Sequence, residues 1–186
     1  MPTRNVDTAI RVAHDLTQSV WLGGALMGAT ALDTAAARIP DQRDRVEAIG
    51  EAWSRWQRVS TPTIALHMLA GVGLTYANKG RLAAQRGGAR TTAVRTALTG
   101  LALGTELTSR FLGASVASEV ARGGEARSLQ DGGEDRTQAR QRQLKTAQWA
   151  NVAALAAMVA IGSRMGEQQR PRELARGVAS RLGIAA

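Results

Sequence analysis

Long stretches without ionisable side chains alternate with strongly charged segments along this chain. Residues 16–32 and 146–163 contain no ionisable side chain, and residues 59–78 contain only His67. A helix needs about 17 to 25 mostly apolar residues to cross roughly 30 Å of hydrocarbon, and each stretch is long enough. The outer face of a helix in a water-soluble protein normally carries charges every three or four residues. The pattern therefore predicts membrane-spanning helices.

A fourth apolar stretch, residues 96–118, is interrupted by Glu106 and Arg110. Because these residues are four apart, they share one helix face, where they can pair and point toward the bundle interior instead of lipid. The chain is thus predicted to be one all-α membrane domain, an integral four-helix bundle with short amphipathic surface helices. Its spans are expected at about residues 14–34, 59–78, 96–118 and 146–163. A water-soluble helical bundle with wholly buried core helices is the alternative.

The polar segments between the spans carry their own helical signals. Residues 41–58 include Trp53 and Trp56 at helical spacing, which predicts a short amphipathic helix on the outer membrane surface. The sequence Ser-Thr-Pro at 60–62 predicts that the second span begins there, with proline in its first turn. Residues 119–145 are predicted to form a polar outer loop and helix, and residues 164–186 a basic cytoplasmic tail.

The charge distribution predicts the orientation. The chain carries a net charge of +9, and the segment between the second and third spans has five basic residues and no acidic one. Short loops rich in Arg and Lys stay in the cytoplasm, so both termini are predicted to be cytoplasmic. Only Lys79 and Lys145 among the 24 basic residues are lysine, a bias typical of GC-rich bacterial genomes. The expected location is therefore a bacterial plasma membrane.

The same distribution bears on partners. The excess positive charge falls in segments that a four-span topology brings to one membrane face, which favours anionic lipids of the inner leaflet as a partner. One Phe and one Tyr leave little for base stacking, so no nucleic acid is expected. Other membrane protein subunits, or further copies of this chain, are the expected protein partners.

Small residues spaced four apart predict how the spans pack. Gly24 and Gly28 lie on the first span, and Gly100 and Gly104 on the third. Lipid gives no hydrophobic drive to helix association, so spans must approach closely at small residues. These four glycines are therefore candidate packing positions, either within the chain or against a second copy.

Polar residues inside the spans form the candidate functional cluster. If each stretch is centred on the bilayer, His67 and Glu106 lie near the midplane, where they can touch each other, and Arg110 lies about 6 Å further out. Buried ionisable groups at that depth are costly and usually functional. One interpretation is a path for protons or small solutes, and the other, which we favour, is a structural ion pair with a hydrogen-bonded histidine. The complete cluster consists of His67, Glu106, Arg110, Asp33, Asn78 and Asn151.

The sequence gives little support for a catalytic site, a metal site or a haem site. Without cysteine, thiolate nucleophiles and thiolate metal sites are excluded. The only histidines, His14 and His67, are expected at different depths, so they are not expected to ligate one haem iron. No catalytic residue, metal or cofactor is expected, and the chain is not expected to be an enzyme. The leading function is a non-catalytic accessory, assembly or scaffolding subunit of a membrane complex, and the alternative is a small-solute or proton transporter or channel.

Overall fold

A computed structural model describes residues 2–77, 88–121 and 133–168, and nearly all of these residues are helical. Within those ranges there is no strand, so the predicted all-α class is confirmed. The elements are α1 (Pro2–Met27), a π-helical turn (Gly28–Leu32), α2 (Asp33–Ala36), α3 (Gln42–Ala77), α4 (Gly88–Ala121) and α5 (Gly133–Gln168). The first three run on without interruption, so the described chain forms four long helical rods.

Each predicted span lies within one of these rods, except Asn78, which is outside the described residues. By length and composition, one helical segment among the described residues, Ala139–Arg164, would suffice to cross a membrane. Membrane insertion stays a prediction for all four rods.

The beginning of α3 differs from the prediction. Residues 41–58 were expected to lie as a separate surface helix, but α3 starts at Gln42 and continues through the second span. Pro62 therefore lies inside the helix and not in its first turn. The helix continues because Trp53 and Trp56 have partners in the bundle, so their apolar face packs against α1 and not on a lipid surface.

In the fourth rod, the polar stretch before the apolar span is helical, as the sequence predicted. The polar stretch before residue 146 belongs to the same helix as the apolar span, because α5 begins at Gly133. Residues 122–132 of the predicted outer loop and residues 169–186 of the predicted basic tail lie outside the described residues.

The helices pack in pairs, α1 on α3 and α4 on α5, with α1 also touching α5. Trp21 on α1 meets Ala102 on α4 and Leu155 and Met158 on α5 at the centre, where none is more than 1% exposed. Ile64 on α3 completes this cluster. Trp21 therefore lies at the middle of the core.

Two of the four candidate packing glycines form sockets for tryptophan. A Cβ atom on Gly24 would overlap the indole of Trp56, and one on Gly28 would overlap the indole of Trp53. By contrast, a Cβ on Gly100 or Gly104 would meet no atom within 4 Å. The first pair therefore fixes how α3 lies on α1, and the second pair faces open space beside α4.

Around its apolar core, the bundle exposes many large apolar side chains and buries several polar ones. Large apolar side chains point outward, including Leu69 on α3, which is 70% exposed, and Phe111 on α4, which is 74% exposed. Polar side chains point inward, including Gln18 on α1 at 4% exposure and Gln148 on α5 at 8%. The described surface thus offers apolar groups where a water-soluble bundle would carry charge.

Candidate functional site: a polar cluster beneath a cavity

Glu106, whose side chain is 15% exposed, is the centre of the polar cluster. Its carboxylate accepts three hydrogen bonds: one at 3.0 Å from Arg110 Nε on the same helix, one at 3.3 Å from Asn151 Nδ2 on α5, and a long one at 3.5 Å from Trp21 Nε1 on α1. The ion pair that the four-residue spacing predicted is therefore present. Because the donors lie on three helices, the carboxylate ties them together at one level.

Arg110 extends the cluster to the remaining helix. Its terminal nitrogens donate to Ser60 Oγ and Thr61 Oγ1 on α3, each at 3.1 Å. The two hydroxyls that were expected to begin a helix instead accept from this guanidinium, just before Pro62. One guanidinium thus joins α3 to α4, and its charge is balanced by Glu106.

Asn151 leaves one buried acceptor without a partner. Its Nδ2 donates to Glu106 and, at 3.0 Å, to the Ala102 carbonyl oxygen. Because both partners are acceptors, the amide orientation is fixed and Oδ1 must face the other way. Asn151 is 2% exposed, and its Oδ1 and the hydroxyl of Ser109 are the buried side-chain atoms without a partner in the described chain. Burial of such atoms without a hydrogen bond costs free energy, because their hydration is lost and not replaced.

A cavity of about 910 Å³ lies above these atoms, between the end of the first rod, the first half of α3, the last part of α4 and the first half of α5. Asn151, Ser109 and Glu106 line its floor, and the exposed residues Asp41 and Gln42 line its rim. We call this cavity the vestibule. Its size is within the range of sites for small molecules.

The walls of the vestibule combine charge with apolar surface. The vestibule is lined by the charged residues Asp33, Arg45 and Lys145. The apolar part of its wall includes Trp53 and Ile49. Arg45 donates to the carbonyl oxygens of Ile39 and Pro40, which holds the turn before α3 in place. The wall therefore suits a molecule with both polar and apolar parts.

Below the cluster, the two histidines lie side by side. The ring centroids of His14 and His67 are 4.2 Å apart, and His67 donates through Nδ1 to the His14 carbonyl oxygen at 3.2 Å. The expectation that the two residues lie at different depths was wrong, because α1 and α3 run close together along this level. The expected His67 contact with Glu106 is replaced by an edge-on contact with Trp21, whose indole lies between them.

The structure brings together most, but not all, of the predicted cluster. Glu106, Arg110 and Asn151 are in direct contact, and Asp33 lines the vestibule with them. His67 lies below Trp21 and belongs to a separate pair. Asn78 lies outside the described residues.

Several buried polar residues were not predicted. On α1, His14, Thr17, Gln18 and Trp21 are all buried, and Gln18 Nε2 donates weakly to the Leu155 carbonyl oxygen at 3.5 Å. Their spacing of three, one and three residues places them on one helix face, and this is a signal the sequence contained. Ser60 and Gln148 carried no comparable signal.

Among the described residues, no group of three or more metal-binding side chains is close enough to hold a metal ion. No family model, curated protein or solved structure matches the chain.

Proposed function

We propose that the chain is an integral membrane protein that binds a small polar solute in the vestibule, with both termini in the cytoplasm and the vestibule open to the outside. The observation that supports binding is a cavity of about 910 Å³ whose lining combines charged residues with apolar ones. Membrane insertion rests on the exposed apolar side chains, the buried polar ones and the uncharged stretches of sequence.

The exposed apolar and buried polar side chains support insertion because the free energy of each depends on the solvent around the bundle. In water, exposed Leu and Phe side chains gain no hydrophobic stabilisation, and buried Gln, Asn and Glu side chains lose their hydration. In lipid both arrangements are favourable, because the apolar side chains contact acyl chains and the polar ones are kept away from them. The outward apolar residues occur on every rod, among them Leu16, Leu69, Leu107 and Val159. We therefore propose that acyl chains surround the bundle.

Substitution of Leu69 by Arg tests insertion. Leu69 is 70% exposed and near the middle of the second predicted span, where an arginine costs about 2.5 to 3.5 kcal/mol on insertion scales. We expect the variant to be strongly reduced in the membrane fraction, and Ala48→Arg, at an exposed position in the polar half of α3, to accumulate normally. Recovery of the unmodified chain as a monodisperse species from a high-speed supernatant without surfactant would contradict insertion.

A one-sided vestibule would give solutes access from the outside only. Its floor ends at Glu106 and Asn151, and the closely packed side chains of Trp21, Leu155 and Met158 lie at the core of the bundle next to them. The proposal is therefore a binding site reached from one side, as in a receptor or one state of a transporter.

Single cysteines introduced into this cysteine-free chain test access. Gly113 lines the vestibule and Gly104 does not, although both lie on α4 and a Cβ at either position meets nothing within 4 Å. A charged, membrane-impermeant maleimide added outside intact cells should label Gly113→Cys and leave Gly104→Cys unlabelled, because a thiol in hydrocarbon neither ionises nor meets the reagent. Equal labelling of both, or labelling of neither, would exclude an outward vestibule.

The accessory role expected from the sequence is kept as a second candidate. The observation that favours it is the face of α4 around Gly100 and Gly104, where none of the described residues would contact an added Cβ atom. Small residues on a lipid-facing surface allow close approach of another span. Stoichiometric co-purification with another membrane protein in mild detergent would support this role over solute binding.

A further inference from the structure

We infer that the contact between α1 and α3 opens on protonation, at the end of the bundle away from the vestibule. Proton uptake by the adjacent rings of His14 and His67 separates the two helices there, while two tryptophans keep them together at the other end. The inference goes beyond the proposed function, because it concerns the response of the fold to pH and holds whether or not the vestibule binds a solute.

Each ring has one nitrogen that can take a further proton. His14 Nδ1 donates to a carboxylate oxygen of Asp15 at 3.2 Å, and His67 Nδ1 donates to the His14 carbonyl oxygen at 3.2 Å. Because both partners are acceptors, the hydrogen of each neutral ring is on Nδ1, and Nε2 carries the lone pair. A histidine in ordinary surroundings takes its second proton near pH 6.5.

Protonation of both rings places like charges side by side. The ring centroids are 4.2 Å apart, and His14 and His67 are both buried, so water screens the repulsion little. Among the described residues, the charged groups that act on the rings are Asp15 and Arg11 on α1 and Arg95 on α4. The two arginines add to the repulsion. Asp15 opposes it, but its side chain is 69% exposed and it contacts His14, so a proton on His67 gains no direct ion pair from it.

At the level of the histidines, the two helices meet across glycines of α3. Gly71 lies against the His14 ring, and Gly73 lies against Ile10. A Cβ atom on either glycine would be 3.6 to 3.7 Å from the facing side chain, which is ordinary van der Waals contact without overlap. This part of the contact is therefore shallow, and like charges can separate it without first withdrawing a side chain from a socket.

At the other end of the contact, the first rod and α3 interlock. The indoles of Trp56 and Trp53 occupy the space where side chains on Gly24 and Gly28 would lie. An indole takes up no proton in the range in which histidine titrates, so these sockets do not respond to the same change in pH. The two rods should therefore pivot about the sockets when the histidine end opens.

Distances between spin labels at the two ends test the inference. Because the chain contains no cysteine, labels can be attached at exposed positions: Val12→Cys with Val72→Cys beside the histidines, and Thr34→Cys with Ala48→Cys beyond the sockets. When the purified chain in detergent is taken from about pH 8 to about pH 5, we expect the first distance to lengthen by about 2 Å, the scale of helix shifts in switching proteins. The second distance should stay constant. No change in either distance, or an equal change in both, would overturn the inference.

His67→Asn and His14→Asn test whether the histidines cause the change. Asparagine Nδ2 can replace histidine Nδ1 as a donor but takes up no proton. With labels at Val12 and Val72, each substitution should abolish most of the lengthening, because one ring remains and no second charge can form beside it. Thr17→Ser, which keeps both rings and the hydroxyl beside His67, is the matched control and should show the full response. Lengthening that persists in either histidine variant would overturn the inference, so the test stands even if the other variant fails to fold.

Discussion

Replacing Gly24 with Leu is expected to destabilise the bundle by about 1 to 3 kcal/mol, the usual cost of inserting side-chain atoms into a packed core. The socket at Gly24 holds the body of the Trp56 indole, so the whole ring must leave before a leucine can enter. Displacing Trp56 also separates α3 from α1 above the level of Ser60. Thermal unfolding followed by circular dichroism in one detergent measures the loss.

Gly100→Leu is the matched control for this prediction. Both positions are glycines in long helices that the sequence marked for close packing, but a Cβ on Gly100 meets no atom within 4 Å. We expect its midpoint to be unchanged or slightly higher, because leucine favours helix more than glycine does. A loss at Gly100 equal to that at Gly24 would mean that α4 packs there against a second copy of the chain.

Replacing Glu106 with Leu is expected to have the largest effect of any single change, about 3 to 5 kcal/mol of stability. The leucine has a similar volume but leaves the Arg110 guanidinium without its counter-charge and the Trp21 and Asn151 donors without their acceptor. Unfolding of the purified variant in detergent, compared with the unmodified chain, measures the cost.

The double variant Glu106→Leu with Arg110→Leu separates pairing from packing. If most of the loss comes from an uncompensated buried charge, removing Arg110 as well should restore a large part of the stability. A double variant no more stable than Glu106→Leu alone would mean that the hydrogen bonds to α1, α3 and α5 matter more than the charge balance. A stable Glu106→Leu that has lost only solute binding would contradict a structural role for the pair.

The fold could be predicted from the sequence wherever a sequence pattern was compatible with only one structure. Three long runs without charge, and a fourth interrupted by Glu106 and Arg110, located the four rods, and the spacing of these two residues located their ion pair. The apolar face with Trp53 and Trp56 was compatible with two structures. A helix that lies on a membrane surface and a helix that packs against another helix both need apolar residues at helical spacing. Only the partner glycines, far away in sequence, distinguish the two.

The sequence predicted that Glu106, Arg110 and Asn151 could meet, but not the direction of the histidine side chains. Residue counting placed His67 and Glu106 at a similar level, but depth does not say which way a side chain points around its helix. Trp21 occupies the space between them, and His67 turns to His14 instead. The vestibule itself had no sequence signal, because a cavity depends on where helices diverge and not on any one residue.

The π-helical turn at Gly28–Leu32 affects how the first rod is compared with other helices. A π turn holds about one residue more than an α turn, so everything after it is rotated by about 100° relative to a helical wheel drawn from the residues before it. Asp33 follows this turn and still faces the vestibule. A helical wheel or alignment that assumes α-helical periodicity through the π-helical turn would assign Asp33 to the wrong side of the first rod. A variant shortened by one residue in this turn would have to be assessed by whether the vestibule wall then loses the Asp33 carboxylate.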